Sequence, residues 1–161
     1  MKAFIGTKIV LALAMSRAAF VAYRYPNQKP NPDAGAPDDA GYLVEYTDGG
    51  APNMDGHTGY ISWCPKDQFD NANIEIGDID GLDPFRVRLL GERAQLNANL
   101  DKLTAFLSGN QSKLLSYRAS GLLERQQYAQ QELLSILDQR LDLLAAEAPK
   151  LASLQERPAV E

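Results

Sequence analysis

Four arginines are set into or beside a leucine stripe in the second half of the chain. Arg86 and Arg93 stand a heptad apart, and Arg118 and Arg125 stand a heptad apart around Leu122. A guanidinium is planar, permanently charged and able to hold two phosphoryl oxygens at once, so arginines at helical spacing fit an anion pocket. Phe85, Tyr117 and Tyr128 supply rings on which a base can stack. Counted outward from a turn near Asn110, Arg93 and Arg125 fall at similar heights along a helical hairpin and are expected to converge. The alternative is that each arginine pairs with a neighbouring acid, Glu92, Glu124 or Glu132, and lays its stem along the helix. Trp63, in an aromatic run of the first half, is either a further stacking surface or a core residue of a sheet.

Catalytic chemistry is harder to assemble. The only histidine is His57 and the only cysteine is Cys64. Along an extended strand they stand on the order of 20 Å apart, outside hydrogen-bond reach unless the loop folds back. A loop imidazole and a helix-cap thiol are the simpler reading. One His and one Cys make a poor zinc set. The DGG of residues 48–50 lacks the following helix that a phosphate loop requires. DIDGLD, residues 78–83, has the wording of a calcium loop without its full ligand set and terminal glutamate. The expectation is therefore a binding protein and not an enzyme, with no cofactor and no metal.

These side chains need elements to position them. Leu89, Leu96 and Leu103 recur at seven, and Leu100 and Leu107 lie four beyond leucines of that series, which predicts a helix from Phe85 to about Ser108 with one seam facing a partner. Ser108-Gly109-Asn110 breaks it. A second helix is expected from about Lys113 to Ala146, with Leu115, Leu122, Ala129, Leu133, Ile136, Leu137, Leu141 and Leu144 as its apolar face and Pro149 closing it. A short loop makes the two antiparallel. A lone hairpin buries one stripe per helix, so it should pack on the first half, on other copies of itself, or both.

In the first half, Tyr42–Tyr46 and Tyr60–Trp63 read as strands of a hairpin around a loop rich in Gly, Asp, Asn and Pro. Tyr42, Val44 and Tyr46 share one face, Leu43 and Glu45 the other. Cys64-Pro65 leads into a short helix through Phe69. A first strand is expected from Phe4 to about Leu11, then a helix from Arg17 to Arg24 capped by Ser16, with Met15 and Phe20 at the staple positions. Lys2, Lys8 and the run Ile9–Met15 imitate a short secretory signal, but Arg17 closes the run early. Residues 26–41, with four prolines, read as an exposed loop, either a plain insertion or a lid. Ile74–Ile76 reads as a short strand.

The fold class expected is α+β: a small antiparallel sheet with short helices, then a long helical hairpin. The boundaries are 1–75 for the β-rich module, 76–84 for a hinge, 85–148 for the hairpin and 149–161 for a flexible tail. A net charge of −5 and a pI near 4.9 argue against binding a nucleic-acid polymer. A lone cysteine suits a reducing compartment. No run is long enough to span a bilayer.

The words FIGTKIV, SRAAFVAYR, GYLVEY, DGG-PN and GYISW-PK, over about residues 3–75, resemble the N-terminal module of accessory proteins of tailed bacteriophages. That module is similar to the β-rich half of phage Thoeris anti-defence sponges, which bind a cyclic ADP-ribose signal and withhold it from its effector. Serine is expected by that resemblance where this chain has Cys64. PFRVRLLGERAQLNANLDKLTAFL and LLERQ are similar, more loosely, to helical hairpins of phage sponges against cyclic-oligonucleotide signalling. The resemblance implies a sponge in the host cytoplasm that binds a cyclic nucleotide-type small molecule without cleaving it, in pockets between protomers of a homo-oligomer. Arg86, Arg93, Arg118 and Arg125 would bind, with Phe85 and Trp63 as stacking surfaces. The rival expectation is a non-enzymatic structural or interaction protein that uses the hairpin to oligomerise or to bind a host protein.

Overall fold

The computed structural model describes residues 2, 3, 5, 6, 8–27 and 38–155, with side chains through residue 147. The chain divides into two compact units, Met1–Asn73 and Ile74–Glu161. The class is α+β: a three-stranded antiparallel sheet with short helices in the first unit, and a long helical hairpin in the second.

In the first unit the order is β1 (Leu11–Ala14), α1 (Arg17–Arg24), β2 (Gly41–Tyr46), β3 (Tyr60–Pro65) and α2 (Lys66–Ala72). β2 lies between β1 and β3, with Leu11 opposite Glu45 and Tyr46 opposite Tyr60. The β-branched and aromatic runs form the hairpin because both faces of β2 are covered: Leu43, Val44 and Ile61 are buried, and Glu45 with them. Two glycines permit close approach. A Cβ on Gly41 would lie 2.6 Å from the Trp63 ring, and one on Gly59 would lie 2.1 Å from the Tyr46 carbonyl oxygen. Asn53 closes the loop by donating to the Ile61 carbonyl and accepting from the Ile61 amide. Ser16 caps α1 by accepting from the Ala19 amide.

Three sequence expectations shift here. The first strand is Leu11–Ala14, later than the expected start at Phe4, which lies outside the described residues; among the described residues only these four pair with β2. Cys64 is a strand residue and not a helix cap: Pro65 holds the cap position without a side-chain bond, and α2 begins at Lys66. Ile74–Ile76 forms no strand, and Ile74 is exposed, so no burial of its side chain holds the segment extended. Most of the proline-rich loop, residues 28–37, lies outside the described residues.

The second unit is α3 (Pro84–Ser108), a 3₁₀ turn (Asn110–Leu114) and α4 (Tyr117–Gln155). Asp83 caps α3 through bonds from the amides of Phe85 and Arg86, with Pro84 in the first turn where its missing N–H costs nothing. Leu89 and Leu100 on α3 and Leu137 on α4 are buried in the seam. The 3₁₀ turn delays the second helix to Tyr117. α4 also continues through Pro149 to Gln155, past the closure expected at the proline, although an interior proline removes one hydrogen bond and crowds the carbonyl four residues earlier. Among the described residues no helix is long and apolar enough to cross a membrane.

Candidate functional site

The start of α4 carries a hollow built from local sequence alone. Ser116 caps the helix by accepting from the Ala119 amide at 3.3 Å. Tyr117, Gly121 and Tyr128 then recur at four and seven, which places them in one row along the helix. Gly121 has no side chain and, beyond its own helix backbone, nothing among the described residues stands within 4 Å of where its Cβ would be, so the row has a gap. Arg118 and Arg125 border that gap, two turns and so about 10 Å apart along the axis. The result is a surface hollow of about 410 Å³ lined by Tyr117, Arg118, Gly121, Leu122, Glu124 and Arg125. A neighbouring hollow extends it to Tyr128 and Ala129.

Tyr117 is 97% exposed and Tyr128 66%. Two guanidiniums beside an empty floor can grip phosphoryl oxygens, and a ring at either end, about 16 Å apart along the helix, can each stack a planar base. Glu124 accepts a bond from Ser120 at 3.2 Å, which turns its carboxylate along the helix. The hollow is floored by one helix and open on the side facing solvent.

The other two arginines serve the hairpin. Arg93 Nε donates to Asp138 Oδ1 at 2.6 Å across the two helices. Arg93 and Arg125 therefore do not converge. The 3₁₀ turn moves the midpoint of the hairpin towards Leu115, so Arg93 is level with Asp138 and about 20 Å along the axis from Arg125. The acid that pairs with Arg93 comes from the opposite helix and not from its own. Arg86 occupies the seam one heptad before Arg93, with its Nε buried and without a hydrogen-bond partner among the described residues. Phe85, half exposed, lies under the guanidinium of Arg140 at 5.6 Å from the ring centre. Arg118 and Arg125 thus stand together, while Arg86, Arg93 and Phe85 lie towards the far end of the hairpin.

Trp63 belongs to the sheet of the first unit. Its Nε1 donates to the Met15 carbonyl at 3.0 Å, and Arg17 lies over its ring at 5.4 Å.

The first unit also holds a polar chain that spacing did not disclose. Glu45 Oε1 accepts from the amides of Thr58 and Gly59, both at 2.8 Å, and from the Thr58 hydroxyl. His57 Nδ1 bonds Glu45 Oε2 at 2.8 Å, and its Nε2 bonds the Tyr23 hydroxyl at 2.8 Å. The imidazole hydrogen bond leads these donors in holding the Glu45 carboxyl down to about 2, against the opposing effect of burial. His57 is therefore a link between α1, β2 and the loop, and Cys64 takes no part in it.

Residues 83–143, from the cap of α3 through most of α4, match the family model named Sequestin. The hollow lies within that match. No curated protein and no solved structure matches the chain.

Proposed function

We propose that the protein is a bacteriophage anti-defence sponge: it binds a cyclic nucleotide-type immune second messenger, a cyclic ADP-ribose isomer or a cyclic oligonucleotide, and holds it without cleaving it. The observation that carries this reading is the hollow around Gly121, where Tyr117, Arg118 and Arg125 line one recess and Tyr128 borders its extension, inside the stretch that matches Sequestin. The family's name denotes sequestration, and sequestration needs affinity with no transition state to stabilise. Arg118 and Arg125 grip the phosphoryl groups, Tyr117 and Tyr128, about 16 Å apart along the helix, each offer a ring to a separate base or ribose of the ligand, and a homo-oligomer closes the open side so that the ligand is removed from water. The host cytoplasm is where such a signal is made.

The test is to incubate the protein with a panel of cyclic ADP-ribose isomers and cyclic oligonucleotides, measure depletion, and then heat-denature the complex. Intact ligand released by heating supports the sponge. Altered ligand points to an enzyme instead, and no depletion of any member removes the reading. A second reading, an interaction protein without a small ligand, is favoured by one observation: the exposed leucines and isoleucine along α4. It predicts self-association or protein capture with no depletion.

A further inference from the structure

α4 carries two apolar stripes. One, with Leu123, Leu134, Leu137 and Leu141, packs in the hairpin seam. The second, roughly a third of a turn further round, contains Leu122, Ala129, Leu133, Ile136 and Leu143 at the spacing of a coiled-coil seam. Leu122, Leu133, Ile136 and Leu143 are 56%, 42%, 51% and 61% exposed. Tyr117 and Tyr128 beside them present roughly 300 Å² by themselves, at the ~150–250 Å² typical of an aromatic side chain. With the aliphatic residues added, the patch exceeds what a soluble monomer usually leaves in one piece.

We infer that this stripe docks a second copy of α4, antiparallel, with the two-fold axis at Ala129. Alanine at the crossing lets the helices approach, and Leu122 then meets the partner's Ile136, since both are equally far from Ala129. Charge selects the direction. Arg125 and Glu132, neither in an ion pair among the described residues, are brought side by side with the partner's Glu132 and the partner's Arg125. A parallel pairing would set Arg125 against its own copy.

The same register completes the hollow. Arg118 and Arg140 are about 33 Å apart along one helix but equally far from Ala129, so Arg118 lies level with the partner's Arg140. The partner's Phe85, stacked under that guanidinium, comes with it. Three arginines from two copies then border one site; Arg125 is partly balanced by the partner's Glu132, while Arg118 and the partner's Arg140 repel each other when the site is empty and are relieved by a bound pyrophosphate group. Dimer formation and anion binding are therefore linked. This step rests on the hollow being the anion site.

Sedimentation of the full chain across concentrations tests it, with and without inorganic pyrophosphate or cyclic ADP-ribose. The wild type is expected to dimerise, more tightly with either ligand, and Ile136→Glu to stay monomeric. Arg125→Glu and Glu132→Arg each weaken the dimer about tenfold or more, and the double exchange restores it. On a Cys64→Ser background, Ala129→Cys cross-links to its copy under mild oxidation and Leu143→Cys does not. A monomer under all conditions, a double exchange no better than the singles, or cross-linking at 143 and not 129 overturns the docking mode. A dimer that ligand does not tighten removes the shared site. Ligand retained by a monomer would sink the dimer and leave the sponge; a dimer that retains no ligand would do the reverse.

Discussion

Arg93 reaches across the hairpin to Asp138, and Gln127 reaches back to Thr104 at 2.8 Å; both pairs are equally far from a midpoint between Leu115 and Ser116. This register separates the arginines into two groups with different work. Arg93 clamps the helices, whereas Arg118 and Arg125 face the hollow.

Arg93→Met is therefore expected to lower hairpin stability by at most about 1 kcal/mol, because the pair is 40% and 46% exposed and screened by water. Ligand depletion should stay within a few-fold of wild type. Arg125→Gln should do the opposite, abolishing depletion while leaving thermal melts followed by far-UV circular dichroism unchanged at protein concentrations too low for self-association. Loss of depletion in Arg93→Met with an intact hairpin would put Arg93 back at the ligand.

Gly121 separates helix stability from binding. Gly121→Ala places a methyl group in open space and should stabilise α4 by up to about 1 kcal/mol. Gly121→Leu retains most of that gain but fills the floor of the hollow, and affinity should fall about tenfold or more. Undiminished binding by Gly121→Leu would move the site elsewhere.

Leu137 and Leu133 lie four apart on α4 with opposite fates. Leu137→Ala empties a fully buried position and should cost roughly 2–5 kcal/mol of hairpin stability. Leu133→Ala should cost the hairpin little and show its effect in self-association. Denaturant titration of both variants at low protein concentration distinguishes them.

Glu45 makes the first unit sensitive to acid. Its carboxyl sits at about 2 in the folded chain against 4.5 ordinarily, so the stabilisation is complete above about pH 4.5 and lost as pH falls towards 2. The drop should amount to roughly 3 kcal/mol, at 1.36 kcal/mol per pH unit. Trp63, the sole tryptophan, reports it by fluorescence during denaturation. Glu45→Gln should be less stable at pH 7 and lose most of the slope across that window; an unaltered pH slope would show that other carboxyls, such as Asp70 held down by its hydrogen bond from Lys66, carry it.

Much of this architecture was legible because it is periodic. The α3 seam follows from leucines at three and four, and the Ser16 cap from local chemistry. The apolar face of α4 was not, because two stripes overlap in one sequence: Leu122, Ala129, Leu133 and Ile136 share spacing with Leu137, Leu141 and Leu144, and only the position of α3 decides which set is buried. The height of Arg93 depended on a 3₁₀ turn that consumes residues without reversing the chain where Ser108-Gly109-Asn110 suggests. Glu45, His57 and Tyr23 come together through strand face and loop closure, which no spacing encodes. At the hollow, Arg118, Arg125 and the tyrosines could be nominated, but the empty floor at Gly121 required the helix.

Equilibrium dialysis of cyclic ADP-ribose and a cyclic dinucleotide against the full chain tests the central claim most directly, comparing wild type with Arg118→Gln/Arg125→Gln. The account predicts that one of these ligands accumulates, chemically intact, on the wild-type side and distributes evenly with the variant. Equal distribution of both ligands with wild type, or accumulation that the double variant preserves, would contradict it.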